Sequence, residues 1–122
     1  MVKALFDTNI LIDHLNAIPQ ARAEIARHRD KAISIVTWIE VMVGASPNLA
    51  PATQTFLEAF ELVALDRAIA DRAVQLRRQF RRIKLPDAVI WATAQCRGMI
   101  FVTRDTKTIP ANQPGIRVPY TI

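Results

Sequence analysis

Short, uninterrupted apolar runs alternate along this chain with longer segments of helical period, and that alternation restricts the fold more than any other feature. Val2 to Phe6, Ala32 to Val36, Leu62 to Leu65 and Met99 to Thr103 are the runs, and each reads as a buried strand. Helices are expected between them: Thr8 to Leu15, Pro19 to Arg29, Thr37 to Ala45, Pro51 to Phe60, and Pro86 to about Arg97. Proline at a first helical position and Gly98 past the last one punctuate them. Asp66 is placed to cap a long helix through Phe80, whose apolar stripe is Ile69, Ala73, Leu76 and Phe80. Gly115 to Tyr120 reads as a last strand, kept to a sheet edge by Pro119. Continuous apolar strands separated by helices are the pattern of a parallel sheet covered on both faces. The expected fold is therefore α/β, a three-layer α/β/α domain with a mostly parallel four- or five-stranded sheet, and residues 1–122 form a single domain.

A chain of 122 residues with 51% apolar side chains buries enough surface for a real core. The surplus of apolar residues, including Trp38, Met42 and the stretch Ile10 to Ile12, suggests a homodimer and a partner surface beyond that core. The first twelve residues are interrupted by Asp7, unlike the core of a signal peptide, and no apolar stretch reaches the ~18 residues of a membrane span. A soluble, cytoplasmic protein is expected, with no membrane association. The single cysteine, Cys96, excludes an intrachain disulfide and reads as a buried structural thiol. A formal net charge of +5 admits a polyanionic partner.

The acids carry the chemical signal. Asp7 follows the first strand, and Glu40 is the only charged residue between Lys31 and Glu58. Asp87 opens a helix whose next nine residues are uncharged, and Asp105 follows the strand Met99 to Thr103. Each has a purely structural reading. Asp7 fits a helix cap, Glu40 a capping box with Thr37, Asp87 a helix amino end, and Asp105 an Asx turn. Taken together they point elsewhere. The carboxyl ends of parallel strands line one edge of a sheet, where ligands bind. Four carboxylates gathered there repel one another unless hard divalent cations meet them, and Mg²⁺ suits sparse carboxylates plus water. No His/Cys cluster has zinc spacing, and three glycines leave no phosphate loop. Carboxylates with Mg²⁺ or Mn²⁺ point to metal-assisted attack of water on a phosphodiester.

Four segments then resemble a known family. Leu-Phe-Asp-Thr-Asn-Ile-Leu-Ile-Asp at 5–13, Thr-Trp-Ile-Glu-Val-Met-Val-Gly at 37–44, Lys-Leu-Pro-Asp-Ala-Val-Ile-Trp-Ala-Thr-Ala at 84–94 and Phe-Val-Thr-Arg-Asp at 101–105 are similar, in order and spacing, to the motifs of PIN-domain proteins of the VapC toxin group. The resemblance implies an endoribonuclease toxin restrained by a cognate antitoxin. It implies Asp7, Glu40, Asp87 and Asp105 as catalytic and metal-site acids, with Asn9 and Thr103 as their polar supports. One departure stands out: many members carry another acid three residues beyond the fourth motif, where this chain has Thr108.

Arg77, Arg78, Arg81, Arg82 and Lys84 crowd into eight positions ahead of the third motif. Such a run is either a solvated helix face or a phosphate track leading RNA toward Asp87. Competing functions are a catalytically silent PIN-fold RNA-binding or regulatory module, and a DNA-directed nuclease of the same fold. A phosphoacceptor receiver domain would need adjacent acids after the first strand, whereas Asp7 is followed by Thr8.

Overall fold

The computed structural model describes residues 2–122. The chain runs β1 (Ala4–Phe6), α1 (Thr8–Leu15), α2 (Pro19–Arg27), β2 (Lys31–Ser34), α3 (Ile35–Gly44), α4 (Ala50–Leu57), β3 (Glu61–Val63), α5 (Arg67–Gln79), α6 (Leu85–Arg97), β4 (Ile100–Val102) and β5 (Ile116–Arg117). The strands form one sheet in the order β3-β2-β1-β4-β5, and every neighbouring pair is parallel. The expected three-layer α/β/α fold is the one observed.

Alternation along the strands divides the core into two layers. Leu5, Ala32 and Phe101 pack with Ile69, Ala73 and Leu76 of α5 and the buried residues of α6. Ala4, Phe6, Ile33 and Val102 pack on the opposite side with Ile10 and Leu11 of α1, Ile25 of α2 and Leu57 of α4. α3 bridges the two layers, with Val36 against the first cluster and Val41 in the second. Because β2 and β4 flank β1 on opposite sides, the chain changes direction across the sheet at the β1/β4 boundary. A crevice opens at such a boundary, outside the carboxyl ends of the strands.

Local chemistry explains most element boundaries. The Asp66 carboxylate accepts from the Ile69 amide at 2.9 Å and starts α5. Gly98 ends α6 in the left-handed region, at φ 65°. Other boundaries differ from expectation: α2 ends at Arg27, α4 ends at Leu57, β3 is Glu61–Val63, β5 is only Ile116–Arg117, and the start of α3 differs in kind. Ile35 and Val36, strand-like in sequence, are the first two residues of α3, because the Ser34 hydroxyl accepts from the Val36 amide at 3.1 Å and caps the helix there. Thr37 is thus inside the helix, fully buried, and the capping box with Glu40 does not form.

Cys96 is exposed, contrary to expectation. The buried face of α6 runs from Ala88 to Ala94, and its last turn leaves the core. Of the apolar residues expected to supply a partner surface, Ile10 and Leu11 are wholly buried, and Ile12, Trp38 and Met42 pack partly against the core. Other side chains form the exposed apolar surface: Ile39, Val43 and Leu49 around α3, and Leu65, Val74 and Leu85 around α5 and α6. Among the described residues, no helix is long and apolar enough to cross a membrane.

Candidate active site

Asp7 stands at the β1/β4 boundary. Its amide donates to the Val102 carbonyl at 2.8 Å, continuing the sheet, and the residue is 3% exposed. One carboxylate oxygen accepts from the Thr8 amide at 2.8 Å, as a helix cap does. The other accepts from the Thr103 hydroxyl at 2.7 Å and from the Asn9 amide group at 3.3 Å. Asn9 also reaches Thr103 at 3.3 Å, so one side chain ties the ends of β1 and β4 together. Asn9 and Thr103 are therefore direct partners of Asp7.

Burial pushes the Asp7 carboxyl up to about 7; Thr103 opposes the rise, and the negative charges of Asp87 and Asp105 add to it. Asp87 lies in the first turn of α6, and its carboxyl is also raised, by burial first and then by the charges of Asp105 and Glu40. The four acids thus sit close enough for their fields to meet, although no three His, Cys, Asp or Glu side chains among the described residues close into a ready metal cluster.

Glu40 comes from the second turn of α3 and is held by a residue that sequence reasoning does not single out. The Thr8 hydroxyl lies 2.6 Å from Glu40 Oε1 and 3.1 Å from the Thr37 hydroxyl. A Thr at each of two helix starts gives no signal beyond turn chemistry.

Asp105 is committed to its own loop. Oδ1 accepts from the amides of Lys107 at 2.9 Å and Thr108 at 3.3 Å, and Oδ2 from the Thr108 hydroxyl at 2.5 Å. Burial opposes ionisation, but the Thr108 hydroxyl and these two amides outweigh it and hold the carboxyl below its ordinary value. The Asx-turn reading of Asp105 is realised, and Thr108 is the side chain that closes the turn. One lone pair of Oδ2 remains for a ligand.

Arg77, Arg78, Arg81, Arg82 and Lys84 are all exposed, and none forms an ion pair among the described residues. Arg77 and Arg78 border a groove of about 680 Å³ whose other walls are Val36, Leu65, Val74, Leu85 and Pro86. None of the four acids lines this groove; of the basic run, Lys84 is the member whose charge acts on Asp87, opposing the rise of its carboxyl.

Residues 4–111 match the family model described as PIN domain. The chain belongs to the PIN-domain family. Its likeness to the VapC branch is close: it is 30% identical over 118 residues to the tRNA(fMet)-specific endonuclease VapC of Shigella flexneri, covering 88% of this chain and 89% of that one. A toxin–antitoxin complex from Klebsiella pneumoniae contains a chain of 42% identity that superposes with a TM-score of 0.93, over 98% of this PIN protein and 100% of the other. A DNA-bound VapBC from Salmonella typhimurium gives 26% identity and a TM-score of 0.76, over 96% of each chain. FitAcB from Neisseria gonorrhoeae shares the fold, with a TM-score of 0.81 at 22% identity over 98% of this chain and 99% of that one. This chain is a PIN-fold protein of the VapC type.

Proposed function

We propose that this PIN protein is an endoribonuclease that depends on Mg²⁺ or Mn²⁺, and the toxin of a toxin–antitoxin pair. One observation carries the reading: Asp7, buried among other acids, has its carboxyl pushed up to about 7, which is the state of a site that wants a cation. The donors fit such an ion, since all are hard oxygens and no thiol or imidazole stands among them. Asp7 and Asp87 would hold the main ion, and Glu40 and Asp105 would complete the site. When bound, the ion lowers the pKa of water and offsets charge on the phosphate oxygens.

The chain's own side chains do the rest. Thr103 and Asn9 fix the rotamer of Asp7, and the Thr8 hydroxyl fixes Glu40. The exposed arginines beside α6 draw the RNA backbone toward Asp87 without reading sequence. In-line attack of water on phosphorus leaves the 5′-phosphate and 3′-hydroxyl ends that the family implies. For the antitoxin, a largely apolar groove of about 590 Å³ lies between α1, α3 and α4, lined by Ile12, Leu15, Val41 and Leu49. A second copy of the chain would pack on the exposed Leu65, Val74 and Leu85 of the groove beside α5 and α6, leaving Arg77 and Arg78 at its border for RNA.

The test uses purified protein with RNA and with DNA of matching sequence. RNA cleavage in Mn²⁺ or Mg²⁺, lost in excess chelator and in Asp7→Asn and Asp87→Asn, is the expected result. Full activity of either variant, or cleavage unaffected by chelator, overturns the mechanism. RNA binding without cleavage returns the chain to a silent module, and preferential cutting of DNA to a DNA nuclease.

A further inference from the structure

Asp13 lies on the buried face of α1, one turn beyond Ile10, with its side chain 6% exposed. An ionised carboxylate in that position is costly unless it is paired and hydrogen-bonded. Both of its oxygens are satisfied from distant parts of the chain. Arg104 Nε donates to Oδ2 at 2.5 Å and Arg104 Nη2 to Oδ1 at 2.9 Å, a two-pronged pair, and the Tyr120 hydroxyl donates to Oδ2 at 2.8 Å. A leucine at position 13 would serve the core as well, since buried ion pairs rarely outdo apolar residues of similar size in stability. What the pair supplies is fixed geometry.

That geometry bears on the nuclease site. Arg104 stands between Thr103, the partner of Asp7, and Asp105. Its amide approaches Asn9 Oδ1 at 3.4 Å, and Asn9 in turn reaches Asp7 and Thr103. A connected path therefore runs from Tyr120 through Asp13 and Arg104 to Asn9 and Asp7. Beyond β4, the bonds within the Asp105 turn hold the loop to itself, and Arg104 holds it to α1. We propose that Arg104 is a positioning residue of the site, clamped by Asp13 and Tyr120 so that the loop after β4 presents Thr103 and Asp105 in one register. Its guanidinium fork is spent on Asp13, so it is not part of the track that binds RNA phosphates. The inference rests on the nuclease reading above.

The experiment compares the unmutated protein with Arg104→Met, Arg104→Lys, Tyr120→Phe and the double variant Asp13→Leu/Arg104→Met. The double variant keeps the protein folded should a lone buried Asp13 unfold it. Three quantities are read: kcat and KM on RNA, affinity for Mn²⁺ alone, and amide hydrogen exchange at residues 103–108. Arg104→Met and the double variant are expected to lower kcat by about 10- to 100-fold with KM nearly unchanged. Mn²⁺ binding weakens and exchange in the loop quickens in the same variants. Arg104→Lys, which keeps the charge without the fork, recovers part of the loss. Unchanged kcat in a folded double variant overturns the proposal, as does unchanged loop exchange. A rise in KM with kcat intact overturns it by making Arg104 a phosphate contact. If the unmutated protein cleaves no RNA, the nuclease reading falls; loop exchange and Mn²⁺ affinity then decide the clamp.

Discussion

The Thr103 hydroxyl donates to the Asp7 carboxylate at 2.7 Å across the boundary between two parallel strands that lie far apart in the chain. This contact is the centre of the site. It joins an acid with a raised carboxyl to a fully buried polar side chain, and it orients the carboxylate on which the charges of Asp87 and Asp105 act.

Without metal, the site should weaken the fold at neutral and alkaline pH. Asp7 has a folded-state value of about 7, above its unfolded value of about 4, so the folded protein holds that proton more tightly. Stability then falls as pH rises from about 4 through 7. A rise of that size corresponds to a ceiling of about 4 kcal/mol. In chelator at pH 8, Asp7→Asn should melt a few degrees above the unmutated protein, and the gap should close at pH 4. Mn²⁺ should raise the melting point of the unmutated protein more than that of the variant. A variant that melts lower under both conditions would reduce Asp7 to a helix cap.

Asp105 should be the acid most tolerant of amide replacement. Asn keeps the Oδ1 acceptor for the Lys107 and Thr108 amides, and what is lost is the charge and the bond from the Thr108 hydroxyl. Asp105→Asn is expected to retain at least about tenfold more single-turnover activity than Asp87→Asn, because the turn survives. Equal loss in both would place Asp105 on a level with Asp87.

The basic run should act on affinity alone. Neutralising two of Arg77, Arg78, Arg81 and Arg82 should flatten the slope of log affinity against log salt by about 0.7 per lost phosphate contact. Measured binding of a single-stranded RNA to Asp87→Asn protein, over a salt series, isolates the effect from cleavage. An unchanged slope makes the run a solvated face.

A second buried acid, Glu24, should govern acid sensitivity. Burial opposes its ionisation, but the two-pronged pair with Arg117 at 2.7 and 2.9 Å and the contact with His28 at 2.7 Å hold its carboxyl below the ordinary value. A depressed folded value gives stability above pH about 4 that is lost as pH falls through that range. Glu24→Gln should lower the unfolding free energy read from urea denaturation at pH 7 by roughly 1–3 kcal/mol given the partly exposed Arg117, and should lose less than the unmutated protein on acidification. Parallel pH dependences would remove Glu24 from the account.

The layer order of the fold is legible in the sequence because period and run length are local properties. Thr8 to Leu15 is readable to the residue, and Asp66 and Gly98 mark their helix ends by side-chain chemistry. The start of α3 is not, since Ile35 and Val36 look like strand and only Ser34 decides otherwise. Asp7 and Glu40 stand out because each interrupts an apolar stretch, Asp87 because a long uncharged stretch follows it, and Asp105 because it follows a strand. Asp13 and Glu24 are buried acids of another kind, and their roles do not show in the sequence. Their partners, Arg104 and Arg117, lie 91 and 93 residues away, and sequence spacing does not pair residues across such distances. Helical register alone offers a signal for Asp13, as a charge one turn from Ile10 on an otherwise apolar face.

The separation of Asp7 from Thr103, 96 positions along the chain, also has a meaning for biosynthesis. A ribosome making this protein releases Asp7 early, but β4 cannot dock beside β1 until the intervening helices and strands have all emerged. Products terminated before β4 lack the strand that completes the site. On the proposed function, a translating cell would meet toxic activity only from copies extended past that point, and an antitoxin would have to capture only those.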